Sequence, residues 1–291
     1  MNFTDFELFF PDRLDGALAL LRDRGTGAIA MAGGTDLLVQ LRQGVVAPSA
    51  VVVLSGIAEL RGVRRTNGSV VVGGGTSIAA IESDPVLREH TRGLVDAAEQ
   101  MATVQIRNRA TLAGNLATAA ACGDMAPMLI ALGARLTLRS ASGARTVALA
   151  DFFTGPRTTI LGPGELITDV EISAAERGSG SAYVKFGYRG GSQIAVVSAA
   201  ATVVREDGRA RTVRLVLGAV APVPFAVQGA SVLTGRAVEG AVLDAACAAA
   251  ASECRPISDI RGSESYRRAI TPVIARRALD LAWRRSGSDE R

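Results

Sequence analysis

Ala32-Gly33-Gly34-Thr35-Asp36-Leu37 is the stretch on which the fold turns. It follows directly on a short apolar run, Ala28-Ile29-Ala30-Met31, and precedes a second helical piece. A buried strand that enters paired glycines and then a helix makes a strand–turn–helix unit. Glycines at such a turn permit positive φ and let backbone N–H groups approach a ligand with no Cβ in the way. Successive exposed N–H groups form an anion cradle, and Thr35 adds a hydroxyl. The same residues also serve as a plain tight turn, so the motif alone leaves both readings open.

Working outward, Asp12 is placed to cap a helix whose apolar stripe is Leu14, Ala17, Leu18 and Leu21, ended by Gly25. Beyond the turn, residues 50–54 are a second apolar strand, which gives a parallel α/β unit of about sixty residues. Residues 69–72 form a strand running into Gly73-Gly74-Gly75-Thr76, and residues 85–101 carry a helical pattern. Residues 110–124 hold almost only small side chains and read as irregular, ordered by something they wrap. Residues 125–132 read as helix, 134–138 and 167–172 as strands, and Gly143 as a turn. The segment 174–181 reads as a domain boundary. After it come strands at 182–186, 194–204 and 212–220, then helices at 238–253 and 266–285, an α+β order.

Rare residues narrow the chemistry. The chain has 291 residues, with a single histidine, His90, and three cysteines, Cys122, Cys247 and Cys254. One histidine cannot build a multi-histidine zinc site. Three scattered cysteines can neither hold a four-thiolate iron–sulfur cluster nor form a disulfide framework. Lys185 is the only lysine among 32 basic residues, and it lies between Val184 and Phe186, so no Walker A motif exists. Chemistry here is expected to belong to a bound cofactor. The net charge is +4, but the arginines are dispersed and aromatics are only 4% of residues. That argues for solvated faces and against nucleic-acid binding. The N-terminal segment lacks a basic leader region, and no apolar run is long enough to cross a membrane, so a cytoplasmic protein is expected.

A second glycine-bearing turn is Thr111-Leu112-Ala113-Gly114-Asn115, followed by Thr118 and Asp124. Backbone amides with neutral donors suit a pyrophosphate. Asp124 either accepts from ribose hydroxyls or caps the helix that follows it. Neither turn is a Rossmann fingerprint: Gly73 and Gly75 supply G-x-G, but Ile78 stands at the third glycine.

Taken together, these pieces resemble the FAD-binding medium subunit of the molybdenum hydroxylases, the carbon monoxide dehydrogenase and xanthine dehydrogenase family. The resemblance also rests on Ile106-Arg107-Asn108-Arg109-Ala110, on Leu166-Ile167-Thr168-Asp169-Val170-Glu171-Ile172 and on Tyr183-Val184-Lys185-Phe186-Gly187-Tyr188-Arg189. The tail Pro256-Ile257-Ser258-Asp259-Ile260-Arg261-Gly262-Ser263, followed by Tyr266-Arg267-Arg268, completes it in order.

The resemblance implies an α+β chain. A two-part FAD-binding domain of the PCMH type would span 1–176, with subdomains about 1–58 and 59–176. A small parallel α/β unit would be joined there to a mixed or antiparallel one, and an antiparallel sheet with helices would span 177–291. It implies that Ala30, Met31, Ala32, Gly33, Gly34, Thr35, Asp36 and Leu37, with Thr111, Ala113, Gly114, Asn115 and Thr118, wrap the FAD pyrophosphate and its neighbours. Met101 would lie against the cofactor, Asp124 would hydrogen-bond to it, Ile167 would pack on the isoalloxazine and Lys185 would place a cation near the flavin. Ala113 stands where the family usually has a first glycine, and Gly190-Gly191-Ser192-Gln193 bears on access to the flavin.

The implied partners are a large molybdopterin subunit and a small subunit with two [2Fe–2S] clusters, in a dimer of heterotrimers. Electrons would pass from the clusters to FAD and on to an external acceptor. One alternative is a free-standing flavin oxidoreductase using Tyr183, Tyr188 or Asp169 in a substrate pocket. The other is a scaffold that has lost FAD.

Overall fold

The computed structural model describes residues 5–287. The first four residues of the N-terminal segment, read above as lacking a leader, lie outside the described residues. Three of the four sheets among the described residues organise the chain; the fourth is the two-stranded pair Phe153–Gly155 and Thr158–Thr159. The first is parallel, with Ala50–Val53 between Glu7–Phe9 and Ala28–Met31. Its central strand is buried at every position, as a parallel strand covered on both faces must be. The helix Leu14–Arg24 buries Leu14, Ala17, Leu18 and Leu21 against this sheet and ends at Gly25. The expected Asp12 cap is a correction: Arg13 is the capping residue and makes no side-chain cap bond. The Leu14 N–H donates instead to Glu59 Oε2 at 2.6 Å, so a distant carboxylate serves the helix start.

The second sheet is five-stranded and antiparallel throughout, in the order Val63–Thr66, Ser69–Gly73, Leu166–Ser173, Arg135–Ser140, Gly143–Ala148. Six helices, from Ile78–Ser83 to Met125–Ala131, connect its strand Ser69–Gly73 to Arg135–Ser140. The helical pattern of 85–101 is split into Pro85–His90, capped by Asp84, and Arg92–Gln100. Residues 110–124 are not irregular as expected: they contain the short helix Leu112–Thr118. Thr111 caps it by accepting from the Gly114 N–H at 3.2 Å, and Leu112 and Leu116 anchor it in the core. Leu112 and Leu116 thus carry most of its packing, with Ala110 in the same core and Ala113 against it.

The third sheet is antiparallel, in the order Ser179–Phe186, Val197–Glu206, Arg209–Gly218, Phe225–Ala226. Strand alternation divides its side chains between two cores. Tyr183, Ala200 and Val216 join the core of the second unit. Ala182, Ala199, Ala201, Leu215 and Leu217 pack instead with the helices Gly240–Glu253 and Glu264–Gly287. The sheet is therefore a shared wall. A buried ion pair fastens it: Asp96 on Arg92–Gln100 accepts from Arg285 at 2.5 Å and from Arg92 at 3.1 Å. Among the described residues no helix is long and apolar enough to cross a membrane.

Candidate functional site

The two glycine turns, far apart in sequence, meet in space. Gly33 presses so closely on the backbone of Arg109 and Ala110 that a Cβ at Gly33 would overlap the Arg109 carbonyl. Gly34 has φ +75°, which favours glycine, and its carbonyl accepts from the Leu38 N–H at 3.0 Å to start the helix Leu37–Gln43. On the second turn, Ala113 and Gly114 lie within Leu112–Thr118. A helical alanine needs no positive φ, so Ala113 is accommodated without backbone strain. A Cβ on Gly114 would meet the Thr111 hydroxyl oxygen at 2.9 Å and the Cβ of Ala32, on the first turn, at 4.0 Å.

Between the turns opens a cleft of about 830 Å³, lined by every one of the expected cofactor-binding residues except Lys185. It adjoins a smaller cavity of about 410 Å³, and the two share Ala32, Gly33, Leu54, Thr111, Ala113 and Ile167. Ile167 sits at a register shift in its strand, between partners Leu138 and Thr137. Its carbonyl is packed so tightly on Gly74 that a Cβ there would overlap it. The run Gly73-Gly74-Gly75 is thus a close-packed floor: Gly74 N–H donates to Thr168 O at 2.7 Å, and Gly74 O accepts from Ala113 N–H at 2.8 Å.

Three carboxylates line the larger cleft, and each is already matched by a cation. Asp36 pairs with Arg157 at 3.3 Å and also accepts from Gln40. Glu165 takes a two-pronged bond from Arg145, 2.8 Å at each oxygen, which holds its carboxyl below the usual range. Asp124 pairs with Lys185 at 3.1 Å and accepts from the Tyr183 hydroxyl at 2.7 Å. Burial pushes the Asp124 carboxyl up, while the Lys185 charge and the Tyr183 hydroxyl oppose that shift. Burial and the Asp124 charge together push the Tyr183 phenol well up. Arg157 and Arg189 also line the cleft. A site whose acids are neutralised and whose turns present backbone amides suits an anionic ligand.

Asn115 gives a further indication. Its Oδ1 is buried and accepts no hydrogen bond among the described residues, while its Nδ2 meets only the Met101 sulfur at 3.9 Å. Such unmet capacity on a cleft-lining residue is costly, and a bound donor removes the cost.

Two expectations for single residues change. Asp124 precedes the helix Met125–Ala131 but makes no side-chain cap bond; its carboxylate is spent on Tyr183 and Lys185. Lys185 does not line the cleft, and its side chain is fully buried beneath it. Nor do Tyr183, Tyr188 and Asp169 line it: Asp169 pairs with Arg64 at 2.5 Å, and Tyr188 stacks on Tyr266. Ile106, in a motif that carries the resemblance, also lines the cleft, and sequence reading passed over Leu54, Gln40, Arg157, Leu161 and Glu165, which line it as well. They come from ordinary strands, helices and loops, and nothing local marks them. Cys122 lines it too, and burial pushes its thiol up.

Residues 4–174 match the family described as FAD binding domain in molybdopterin dehydrogenase, and residues 182–282 match the CO dehydrogenase flavoprotein C-terminal domain. The chain is 32% identical to the carbon monoxide dehydrogenase medium chain of Hydrogenophaga pseudoflava over 282 residues, 96% of this chain and 98% of that one. It is 28% identical over 277 residues to the xanthine dehydrogenase FAD-binding subunit of Escherichia coli O157:H7, 94% of each chain. A solved structure of carbon monoxide dehydrogenase from Hydrogenophaga pseudoflava, lacking the Mo-pyranopterin moiety of its molybdenum cofactor, superposes with a TM-score of 0.94. That match is at 31% identity and covers 98% of this chain and 99% of the other.

Proposed function

The chain belongs to the FAD-binding medium subunits of carbon monoxide dehydrogenase- and xanthine dehydrogenase-type molybdenum enzymes, and from that premise we propose that it is the electron-transfer subunit of a heterotrimer. In this reading a large molybdopterin subunit transforms the substrate, and a small subunit with two [2Fe–2S] clusters delivers the electrons. This chain passes them from FAD to an external acceptor, and the heterotrimers pair as dimers in the cytoplasm. Three free thiols, Cys122, Cys247 and Cys254, fit a reducing compartment. Residues 1–176 hold the cofactor, with subdomains about 1–58 and 59–176, and residues 177–291 form the C-terminal part; the two family matches fall on either side of that division.

The observation that carries the proposal is the meeting of the two turns across one cleft whose carboxylates are all paired. Bound FAD would couple one-electron iron–sulfur carriers to a two-electron acceptor. The chain's own residues bind, orient and shield. The amides of Gly33 and Gly34 would face the pyrophosphate, with Thr35 and Thr118 adding hydroxyls; on the second turn Thr111 already takes the Gly114 and Asn115 amides, so Thr111, Gly114 and Asn115 would shape that wall of the site. The unmet Asn115 carbonyl takes a donor from the cofactor. Ile167 and Met101 would cover it with apolar surface, and Asp124, fixed by Tyr183 and Lys185, would face it from the cleft wall with its remaining acceptor capacity. Tyr183, Tyr188 and Asp169 do not line the cleft, and the carboxylates that do are each paired with arginine or lysine, which supports substrate chemistry on a partner subunit.

Purified chain incubated with FAD and freed of excess tests the reading. We expect flavin absorption bands at one FAD per chain, and bleaching by substrate only when the partner subunits are present. A chain that retains no flavin is a scaffold; one bleached by substrate alone is a free-standing enzyme. Either result overturns the proposal.

A further inference from the structure

Lys185 is the only lysine in the chain, and the structure puts it where few lysines go. Its side chain has no exposure to solvent, and its Nζ has three acceptors. It donates to the backbone carbonyl of Gln100 at 2.6 Å, to the Asp124 carboxylate at 3.1 Å and to the backbone carbonyl of Gln193 at 3.1 Å. An ammonium has three N–H groups, so its hydrogen-bonding capacity is filled. The residues it ties together are those that shape one end of the cleft. Gln100 ends the helix that leads directly into Met101, Asp124 is part of the wall, and Gln193 belongs to the segment Arg189–Ile194, of which Arg189, Ser192, Gln193 and Ile194 line the cleft. Side-chain bonds reinforce the knot. Gln100 accepts from the Lys185 N–H at 3.2 Å and donates to Tyr183 O at 3.0 Å, and the Tyr183 hydroxyl donates to Asp124.

We propose that Lys185 is a positioning residue for the flavin end of the cleft. One ammonium fixes the orientation of the Asp124 carboxylate and staples the 189–194 segment against the cleft. This rests on the FAD-binding reading above. It also accounts for the survival of one lysine among so many arginines. A guanidinium is planar and longer, and cannot converge on three acceptors in a sealed pocket shaped for a compact ammonium.

The test compares four chains: wild type, Lys185→Arg, Lys185→Met and the double variant Lys185→Met with Asp124→Asn. Each is measured by thermal unfolding, by FAD titration, and by the rate of tryptic cleavage after Arg189, located by mass spectrometry. Lys185→Met alone strands a buried carboxylate and is expected to unfold readily. The double variant removes both charges and is expected to recover wild-type thermal stability. We expect it nevertheless to be cut after Arg189 at least tenfold faster than wild type, because the staple is gone. We expect Lys185→Arg to behave like the double variant rather than to rescue. Wild-type protection of Arg189 in the double variant, or in Lys185→Arg, overturns the inference. Wild type that takes up no FAD overturns the underlying reading instead, and the cleavage rates still judge the staple.

Discussion

The two glycine turns are alike in sequence and unlike in what the structure asks of them. In the first, the fold itself requires glycine. Gly33 is wedged on the Arg109 backbone, and Gly34 has φ +75°. In the second, Gly114 sits in a helix with ordinary backbone angles, and a Cβ there would crowd only the capping hydroxyl of Thr111. A glycine that the fold does not need, in a helix where glycine is disfavoured by about 1 kcal/mol against alanine, points to another requirement. The first turn thus joins two units of the protein, and the second is shaped for what lies between them.

Substitutions can break that contrast. Gly33→Ala has the largest expected effect, because backbone must move where the two units meet. We expect a loss of about 3 kcal/mol in denaturant unfolding of the FAD-free chain. An unchanged unfolding midpoint would place Gly33 in the same class as Gly114. Gly114→Val is the mirror case. The FAD-free chain is expected to stay within about 1 kcal/mol of wild type. FAD affinity is expected to fall about a hundredfold, equivalent to about 2.7 kcal/mol, because the added methyls project between Thr111 and Ala32. Retention of FAD at wild-type affinity removes the second turn from the site.

Thr111→Val separates the helix from its ligand role. It removes the side-chain acceptor for the Gly114 N–H and keeps the shape. We expect about 1 kcal/mol of lost stability and a smaller loss of FAD affinity than Gly114→Val gives. An equal or larger affinity loss means that the Thr111 hydroxyl itself faces the cofactor, and the cap is then secondary.

Both turns were legible as motifs because glycine is a strong local signal. The strands at 28–31 and 166–173 were legible because apolar runs of that length between breakers leave little choice. The helix Leu112–Thr118 was not. Its sequence is nearly all small residues, and what decides it is tertiary: Leu112 and Leu116 reach a core supplied by distant segments, and Ala113 donates to Gly74. Lys185 shows the same limit in the site. Strand alternation places it on the face shared with Tyr183, but only the packing of the third sheet on the second unit shows that this face is buried. Arg157 and Glu165 carry no local mark, because their role comes from partners at Asp36 and Arg145.

The smallest expected effect sharpens the comparison most finely. Ala113→Gly restores the paired glycines usual in the family's second turn. If glycine were needed there for the ligand, FAD should bind more tightly. The structure gives the opposite expectation. Ala113 lies in the first turn of a helix at an ordinary φ, and its Cβ covers Gly74, where an added Cβ would come within 2.9 Å of it. The two positions are complementary: alanine at 113 fills space that glycine at 74 leaves open. Removing the methyl costs about 0.5–1 kcal/mol of helix propensity and opens a gap against the floor of the cleft. We expect a lower unfolding midpoint, with FAD affinity within twofold of wild type by fluorescence titration. A gain of tenfold or more in affinity would mean that the Ala113 methyl obstructs the cofactor, and that both glycine turns are shaped by the ligand.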